Sequence, residues 1–452
     1  MRLTLIHPCI GRVPGQRYIR GWQMEPLPAA LIAGLTPKEV EVRFYDDRME
    51  PIPFDEPTDL VAMSVETYTA KRAYQIASEY RSRGVPVVMG GFHAALQTDE
   101  VARYAESVVV GEAEGLWPEV LDDYRHGTPK KIYRLADRPA LKGATPDRRI
   151  FRGKDYLPVS LVEAGRGCHF VCEFCAVTTY FQRRQTRRPI DEVVAEIADL
   201  KAQGRKFFFF VDDNQTSNIK EVKEFFRALI PLKIRWVSQT SINGAHDPEF
   251  LDLLNKSGCQ GVLIGFESLN RKNLVQMDKD FNTMGGGYEK SLAKLREAKI
   301  RLYPTFIFGY DEDTPDTFAE TVEFAKRHNF YITAFNHLTP FPGTPLYERL
   351  EKEGRLLYEK WWMDERYGYN KVPFTPRKVT PEEVERGCVE ARRSFYTWPS
   401  IVKRSVDPVN RDSWFMFRNF FLINGIHRAE VSLRNHYPLG DRTWPGQLLE
   451  AN

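Results

Sequence analysis

The sequence predicts an α/β protein in which an N-terminal doubly wound, Rossmann-like domain precedes a partial (β/α)6 barrel and a mainly helical C-terminal extension. Short apolar runs alternate with charged segments of helical period in two separate series along the chain, which is typical of parallel sheets. The 452 residues also exceed what one hydrophobic core usually holds. We expect domains at residues 1–135, 158–370 and 371–452, with a linker at 136–157 that is rich in Pro, Gly and charge.

The first series predicts the doubly wound domain. Its candidate strands are RLTLIHP, VEVRFYD, DLVAMSVE, VPVVMGG and SVVVGE, separated by segments with helical spacing. Ligands of such sheets bind at the carboxyl ends of the strands. The turns there carry Ser64, Glu66, Gly90, Gly91, Gly111 and Glu112. Glycines at these positions would let a nucleotide tail approach the backbone closely.

The second series predicts the barrel. Six strand–helix units follow one another, starting with VSLVEAG and KFFFFVDD and ending with RLYPTFIFG and ITAFNHLTP. Six units are too many for a small open sheet and two short of a closed eight-fold barrel, so we expect an incomplete one. Barrels carry their chemistry at the carboxyl ends of their strands. A cysteine cluster follows the first strand and Asp212–Asp213 ends the second, so both fall on the predicted functional face.

Composition excludes several classes of protein. The formal net charge of +3 argues against an electrostatically driven nucleic-acid binder, so we expect no nucleic-acid partner. No apolar run approaches the roughly 18 residues of a membrane span. The N-terminus lacks a small-residue cleavage site and reads as a first strand. Three of the six cysteines lie within eight residues and three are scattered, a pattern that favours one metal site in a reducing cytoplasm over a disulfide framework.

The cysteine cluster is Gly167-Cys168-His169-Phe170-Val171-Cys172-Glu173-Phe174-Cys175. Three thiolates can bind three irons of a four-iron, four-sulfur cubane and leave the fourth iron open. An open iron can take up the amine and carboxylate of S-adenosylmethionine. Two alternatives remain open at this point. Structural zinc normally needs four ligands, and no second pair of ligands is evident. An electron-transfer cluster would need a fourth cysteine, such as Cys259.

The C-x-x-x-C-x-x-C spacing, with an aromatic residue before the last cysteine, resembles the radical S-adenosylmethionine superfamily. Segments at 206–214, 261–268, 306–309 and 337–345 resemble its later strands in the same order, so the likeness spans about residues 158–350. It implies a [4Fe-4S] cluster on Cys168, Cys172 and Cys175, with S-adenosylmethionine cleaved to a 5′-deoxyadenosyl radical. It also implies an external one-electron reductant such as flavodoxin or ferredoxin. The implied S-adenosylmethionine contacts are Phe174, Asp212, Asp213, Gln239, Glu267 and Phe308.

The N-terminal domain resembles the cobalamin-binding domain that precedes many of these enzymes. The resemblance implies cobalamin contacts from Ser64, Glu66, Gly90, Gly91, Gly111 and Glu112. One departure concerns the cobalt ligand. Mutase-type domains carry an Asp-x-His-x-x-Gly loop, whereas the corresponding segment here has Asp46 but Arg48 in place of the histidine. No histidine of that loop would therefore bind cobalt. The alternative is a scaffold domain without a cofactor.

The two resemblances together imply cobalamin-dependent C-methylation of an unactivated carbon in a small-molecule or lipid-like substrate. A radical cyclase, oxidase or rearrangement enzyme without methyl transfer is the second hypothesis. A non-catalytic cobalamin or iron–sulfur sensor is the third. The sequence indicates no catalytic acid or base. Five aromatic residues near the C-terminus either line an apolar pocket or pack the extension onto the barrel: Trp361, Trp362, Tyr367, Tyr369 and Trp398.

Overall fold

The computed structural model describes residues 1–451, which divide into two compact units. The first unit contains Met1–Leu157 and Glu359–Tyr369 together with the segment from His436 onward. The second contains Pro158–Tyr358 and Asn370–Asn435. The chain passes from the first unit to the second after Leu157, and two C-terminal segments return to the first unit.

A six-stranded parallel sheet forms the centre of the first unit, in the order β3-β1-β4-β5-β6-β7. All strands run in the same direction, but the order in which they are added reverses: β3 lies on one side of β1, and β4 to β7 lie on the other. The switch point of this doubly wound sheet is therefore between β1 and β4. The edge strand β7, with the sequence IYR, was not among the strands predicted from the sequence. The strands of this part of the chain are β1 Arg2–His7, β2 Gly11–Arg12, β3 Glu41–Asp46, β4 Leu60–Ser64, β5 Val87–Gly90, β6 Ser107–Val110 and β7 Ile132–Arg134.

Five helices accompany this sheet: α1 Leu27–Leu35, α2 Ala70–Ser82, α3 Phe92–Leu96, α4 Thr98–Ala102 and α5 Trp117–His126. Leu3, Leu5, Val88, Val109 and Trp117 belong to one buried core that joins strands to helices. Burial of this apolar surface is the main stabilising contribution to the unit.

The second unit contains a six-stranded parallel sheet whose strands follow one another in chain order. The described residues contain no ladder between its first and last strands, so the barrel is open. The predicted partial (β/α)6 barrel is thus confirmed. Its strands are β8 Ser160–Val162, a small hairpin of β9 Gly165–Arg166 and β10 Thr186–Arg187, then β11 Phe207–Phe210, β12 Arg235–Thr240, β13 Cys259–Glu267, β14 Leu302–Phe308 and β15 Ala334–His337.

The two faces of the barrel sheet differ in burial. On β14, Leu302, Pro304, Phe306 and Phe308 are buried, whereas the alternating residues between them are half-buried. The buried face packs against the helices. The Phe308 ring, for example, lies 4.9 Å from that of Phe318, on the helix that follows β14, and both rings belong to the hydrophobic core of this unit. The half-buried face therefore lines the open interior. The helices of this unit are α6 Ala176–Tyr180, α7 Ile190–Ala202, α8 Ile219–Leu229, α9 Pro248–Lys256, α10 Arg271–Gln276, α11 Gly287–Glu297, α12 Pro315–Arg327, α13 Pro345–Lys352, α14 Pro381–Phe395, α15 Trp398–Ser405 and α16 Trp414–Glu430.

Helix α16 lies across the amino ends of the barrel strands. The Phe415 ring lies 5.7 Å from that of Phe207, the first residue of β11. The Arg235 guanidinium, at the start of β12, lies 4.8 Å from the Phe415 ring centroid. The Tyr331 hydroxyl donates to the Met416 carbonyl at 2.6 Å. The mainly helical C-terminal region is confirmed, and it leaves the carboxyl ends of the strands for the site.

The returning segments complete the first unit. They form β16 Gly368–Tyr369, β17 Tyr437–Pro438 and β18 Gly440–Asp441, and β18 pairs with β2. Trp361, Trp362 and Tyr367 are buried there; the Trp361 ring lies 5.0 Å from that of Tyr68. These residues pack within the first unit, whereas the sequence suggested that they line a pocket or pack the extension onto the barrel. No helix in residues 1–451 has the length and apolar character needed to cross a membrane.

Candidate functional site

The cysteine loop begins at Gly167, directly after β9. Gly167 has a φ of +87°, and a Cβ there would collide with the Arg184 carbonyl oxygen. Only glycine satisfies both conditions. The Gly167 N–H donates to Asp213 Oδ2 at 2.6 Å. Backbone conformation and this hydrogen bond together fix where the loop leaves the sheet.

The three cysteines of the loop are free thiols, with Cys172 buried and Cys168 and Cys175 half-buried. They lie close enough to affect one another: burial raises the pKa of Cys172 to about 12, and Cys175 and Cys168 add to the rise while Lys279 opposes it. Within residues 1–451, no three His, Cys, Asp or Glu side chains are grouped tightly enough to hold a single metal ion. This donor set does not match mononuclear zinc. It fits a cubane cluster, whose thiolates bind separate irons.

The other two cysteines of the second unit, Cys259 and Cys388, lie in its hydrophobic core. Cys259 is the first residue of β13 and therefore lies at the amino end of the barrel, whereas the loop follows the carboxyl end of β8. Cys388 is buried within α14. Both belong to the hydrophobic core of the second unit. The three-thiol set therefore favours a cluster with one iron open to an exogenous ligand over a four-cysteine electron-transfer cluster.

Glu173 anchors the middle of the loop. Its N–H donates to the Met277 carbonyl at 3.2 Å, and its own carbonyl accepts from the Leu346 N–H at 3.0 Å. Its carboxylate accepts from Arg349 Nη2 at 2.8 Å and from Arg349 Nε at 3.2 Å. The loop is thus held between α10 and α13. Sequence reasoning missed this role, because a carboxylate between two cysteines shows no pattern of its own.

Polar groups surround the outer thiols. Asn214 Nδ2 donates to Cys168 Sγ at 3.5 Å and to Ser241 Oγ at 2.8 Å. Cys175 is the N-cap residue of α6; burial raises the pKa of its thiol, and hydrogen bonds from Thr178 and Val177 oppose that rise. Hydrogen bonds to cluster sulfurs are a principal determinant of cluster potential.

Glu267 and Lys279 form an ion pair beside the loop. Glu267 ends β13 with a φ of +61°, where the register with β14 shifts. Its Oε1 lies 2.5 Å from Lys279 Nζ, and its Oε2 accepts from Thr305 Oγ1 at 3.3 Å. Burial opposes the charge on Lys279, but Glu267 and Cys172 raise its pKa. A positive charge therefore lies next to the thiols.

Two further contacts place Lys279 by the cysteine loop. Its Nζ lies 5.9 Å from the ring centroid of Phe174. Phe170 of the loop stacks on Phe281 with centroids 4.1 Å apart. A Cβ on Gly265 would overlap both Glu267 Oε1 and Lys279 Nζ, so glycine leaves the space that the pair occupies. Nothing in the sequence around Asp278–Asp280 distinguished Lys279 from an ordinary surface lysine.

The structure gives the two aspartates after β11 different surroundings. Asp212 is buried, accepts from the Ala164 N–H at 2.8 Å, and lies 3.5 Å from Arg187 Nη1. Burial raises its pKa to about 7. Asp213 is half-buried, and its carbonyl accepts from Gln239 Nε2 at 2.7 Å. Asp212 thus supports the turn after β8, whereas Asp213 and Gln239 lie at the carboxyl rim.

Phe308 occupies the opposite face from the one expected of a ligand contact. It ends β14, as predicted, but its ring packs 4.9 Å from that of Phe318 on α12. Side chains alternate along a strand, so Ile307 faces the interior instead. The Phe308 ring belongs to the core between sheet and helices, and the contact of Phe308 with S-adenosylmethionine stays a prediction.

The switch-point crevice of the first unit contains the predicted small residues. Ser64 ends β4 and pairs with Gly90, the last residue of β5. Gly91 has a φ of +96°, and a Cβ there would come within 2.8 Å of Ser64 Oγ. Gly111 has a φ of +98°, and its Cβ position is open. Glycine is thus favoured at both turns, but only Gly111 has open space beside its backbone, since Ser64 and Val65 fill the space beside Gly91. Glu66 is exposed at the same edge.

Other charged residues of this unit are already engaged. Arg48 donates to both oxygens of Asp46, at 2.9 and 2.7 Å, and to the carbonyls of Trp22 and Met24. Glu112 accepts from Arg138 Nε at 2.6 Å. Arg48 therefore stabilises the turn after β3, where mutase-type domains have a histidine.

Two histidines of this unit, His7 and His93, differ in their contacts. His93 is buried, with its ring nitrogens 3.2 Å from Thr67 Oγ1 and from Glu100 Oε1. It is a packing residue. His7 ends β1 at the switch point, and no hydrogen-bond partner of its ring lies among the described residues.

The fold and site define a class of protein: an open barrel of six β/α units that carries a three-cysteine loop after its first strand. The sequence profile of the Radical SAM superfamily matches residues 162–325. Bacteriochlorophyllide d C-12(1)-methyltransferase from Chlorobaculum tepidum is 33% identical over 408 residues, which cover 88% of this chain and 88% of that protein. The chain belongs to the radical S-adenosylmethionine superfamily and is an enzyme of it.

Two further comparisons extend this result. Hopanoid C-2 methylase from Rhodopseudomonas palustris is 25% identical over 354 residues, covering 74% of this chain and 66% of that protein. The radical S-adenosylmethionine methyltransferase TsrM from Kitasatospora setae, solved with cobalamin and a [4Fe-4S] cluster, matches with a TM-score of 0.61 and 18% identity, over 85% of this chain and 81% of that one. The likeness to TsrM shows a shared fold.

Proposed function

We propose that this enzyme methylates an unactivated carbon of an apolar substrate, with a chlorophyll-type tetrapyrrole as the first candidate. The observation that carries the proposal is the three-thiol loop beside the Glu267–Lys279 pair, in a chain 33% identical to a bacteriochlorophyllide methyltransferase. The barrel interior supports an apolar substrate, since half-buried Phe209, Val237, Leu263 and Ile307 face it.

Cys168, Cys172 and Cys175 would hold a [4Fe-4S] cluster, which supplies the electron that cleaves S-adenosylmethionine. The chain's own residues then act by position. Asn214 and the amides at the start of α6 donate towards the outer thiols. Lys279 provides a buried positive charge that favours the anionic state of its surroundings. Glu173 and Arg349 keep the loop from moving.

The first unit would bind cobalamin at the carboxyl ends of β1, β4 and β5. The cofactor supplies a methyl group that is transferred to carbon. Gly111 leaves its backbone accessible to a nucleotide tail. Arg48 is committed to Asp46, so the turn after β3 offers no ligand to cobalt. These features support a cobalamin that would be held without a side chain from that turn.

The experiment is anaerobic reconstitution with iron, sulfide and hydroxocobalamin, followed by reduction in the presence of S-adenosylmethionine and bacteriochlorophyllide d. A small flavodoxin would serve as the one-electron donor. We expect 5′-deoxyadenosine, S-adenosylhomocysteine and a product heavier by one methylene group. Deoxyadenosine with no S-adenosylhomocysteine would favour a cyclase or oxidase. Absence of both products under every condition would favour the sensor hypothesis and contradict the proposal.

A further inference from the structure

The last two helices, α15 and α16, expose apolar side chains at regular spacing. On α15 and directly after it, Trp398, Val402 and Val406 recur every four residues and are 52%, 54% and 60% exposed. On α16, Trp414 and Leu422 are 76% and 61% exposed. Residues four apart lie on one side of a helix. Each helix therefore presents an apolar stripe to solvent, and we call the two stripes together the α15–α16 face.

The two helices pack against each other as one element. Arg404 Nη2 on α15 donates to Asn424 Oδ1 on α16 at 3.0 Å. The Arg404 guanidinium lies 5.4 Å from the Phe420 ring centroid. The guanidinium of Arg428 lies 5.8 Å from the Trp398 ring centroid. These contacts hold the helices antiparallel and bury their inner sides, so the exposed stripes are not needed for the core.

The charge around the α15–α16 face is strongly positive. Residues 392–435 contain eight Lys or Arg and three Asp or Glu, a larger excess than the +3 of the whole chain. Two of the three acids are buried in ion pairs, Asp407 with Arg296 and Glu430 with Arg434. Lys403, Arg411, Arg418 and Arg428 are exposed. The surface is therefore basic as well as apolar.

We propose that the α15–α16 face docks the enzyme onto the surface of an anionic lipid bilayer. Tryptophan prefers the interface between headgroups and acyl chains. Basic residues near that interface are attracted to anionic headgroups. A helix of this composition lies on a membrane and does not span it. The exposed Val402, Val406 and Leu422 favour a bilayer over a nucleic acid, because aliphatic side chains do not stack on bases.

A second copy of the chain is a poorer occupant. Pairing this basic surface with itself would place like charges opposite one another, and Asp412, which pairs with Lys299, is the one exposed acid among residues 392–435. An anionic bilayer offers complementary charge and an apolar layer at once. The proposal is independent of the proposed function, since it uses no residue of the cysteine loop or of the first unit.

The test is flotation of the full-length protein with two kinds of vesicle: phosphatidylcholine alone, and phosphatidylcholine mixed with phosphatidylglycerol. We expect binding to the anionic vesicles, weak binding to the neutral ones, and loss of binding as salt rises. Arg418→Glu should weaken binding at least about fivefold, from ~1 kcal/mol per basic residue at an anionic surface. The double variant Trp414→Ser/Leu422→Ser should weaken it further.

The matched control is Val275→Ser, which removes an equally exposed aliphatic side chain on α10, 55% exposed. It should bind vesicles as the unaltered protein does. Circular dichroism melts check that each variant folds, and Arg418→Glu keeps the test valid if the double variant does not. Binding that is equal for all variants, or absent from anionic vesicles, would overturn the proposal. A lipid-free dimer that the Trp414→Ser/Leu422→Ser variant dissociates would also overturn it, because the face would then bind a second copy of the chain. So would competition by duplex DNA that abolishes binding to neutral and anionic vesicles alike, because the face would then bind nucleic acid.

Discussion

Glu267 Oε1 lies 2.5 Å from Lys279 Nζ, and this buried pair stands beside the thiols of Cys172 and Cys175. Neither partner is close to the cysteines in sequence. The pair combines a strand end in the left-handed region with a lysine from the loop after α10. It therefore depends on the fold, and it links the stability of the barrel rim to the electrostatics of the site.

Replacing Lys279 should affect both the stability of the barrel rim and the electrostatics of the site. Lys279→Met removes one partner of a pair whose side chains are 12% and 7% exposed, so we expect a loss of about 3 kcal/mol in the free energy of unfolding. Production of 5′-deoxyadenosine should fall as well. Urea unfolding and product analysis measure the two effects. Lys272→Met, whose side chain is 80% exposed, is the control and should change stability by less than ~0.5 kcal/mol. Equal behaviour of the two variants would refute the role of Lys279.

Gly265→Ala tests the space that the pair occupies. The added Cβ would overlap Glu267 Oε1 and Lys279 Nζ, which are the ends of flexible side chains. The protein should therefore fold, with a modest loss of stability, while the affinity for S-adenosylmethionine drops. Equilibrium binding and thermal melts check this. Gly425→Ala, in α16 with nothing near its Cβ position, should be neutral or slightly stabilising. Unchanged affinity in Gly265→Ala would show that the pair does not contact the ligand site.

Cys259→Ala distinguishes a three-thiol cluster from a four-thiol cluster. Cys259 lies at the amino end of β13, so its loss should leave the iron and sulfide content unchanged. Cys168→Ser should abolish a stable cluster. Iron and sulfide assays after reconstitution give the answer, and a cluster lost in Cys259→Ala would restore the electron-transfer interpretation.

Glu100 should make the stability of the first unit pH-dependent. Burial alone would raise its pKa, but hydrogen bonds from His93, Trp362 and Lys360 hold it at about 2. A carboxylate with a depressed pKa stabilises the fold above its unfolded value near 4.5 and loses that contribution as pH falls towards 2. Glu100→Gln should therefore destabilise apo-protein by up to about 3 kcal/mol at neutral pH, and by progressively less in acid.

The control for that prediction is Glu39→Gln, because Glu39 is a surface carboxylate with a 66% exposed side chain. Its stability difference from the unaltered protein should stay small at every pH. Tryptophan fluorescence during urea unfolding follows both variants. A Glu100→Gln difference that does not shrink between pH 5 and 3 would contradict the assignment.

The sequence was sufficient for features that depend on local spacing. The C-x-x-x-C-x-x-C loop, the two strand–helix series and the glycines at Gly90–Gly91 follow from patterns within short segments. The partners Lys279 and Arg349 could not be predicted, since they meet the loop only through tertiary contacts. Phe308 was assigned to S-adenosylmethionine from its place at the strand end, without the alternation along β14 that turns its ring towards the helices.

The C-terminal boundaries were wrong for a related reason. Glu359–Tyr369 and the segment from His436 return to the first unit through strand pairing and aromatic packing. Trp362 Nε1, for example, donates to Glu100 Oε1 at 2.8 Å. Such long-range contacts leave no periodic pattern in sequence. A chain that returns to the first unit twice therefore looks like one continuous extension.

The central claim is that three thiols hold a cluster with one iron open to S-adenosylmethionine. Electron paramagnetic resonance of the reduced, reconstituted protein tests it most directly, recorded with and without S-adenosylmethionine. We predict a [4Fe-4S] signal whose g-values shift when S-adenosylmethionine is added, and no such signal from Cys172→Ala. A full cluster signal in Cys172→Ala, or a spectrum of the unaltered protein that S-adenosylmethionine leaves unchanged, would contradict the account.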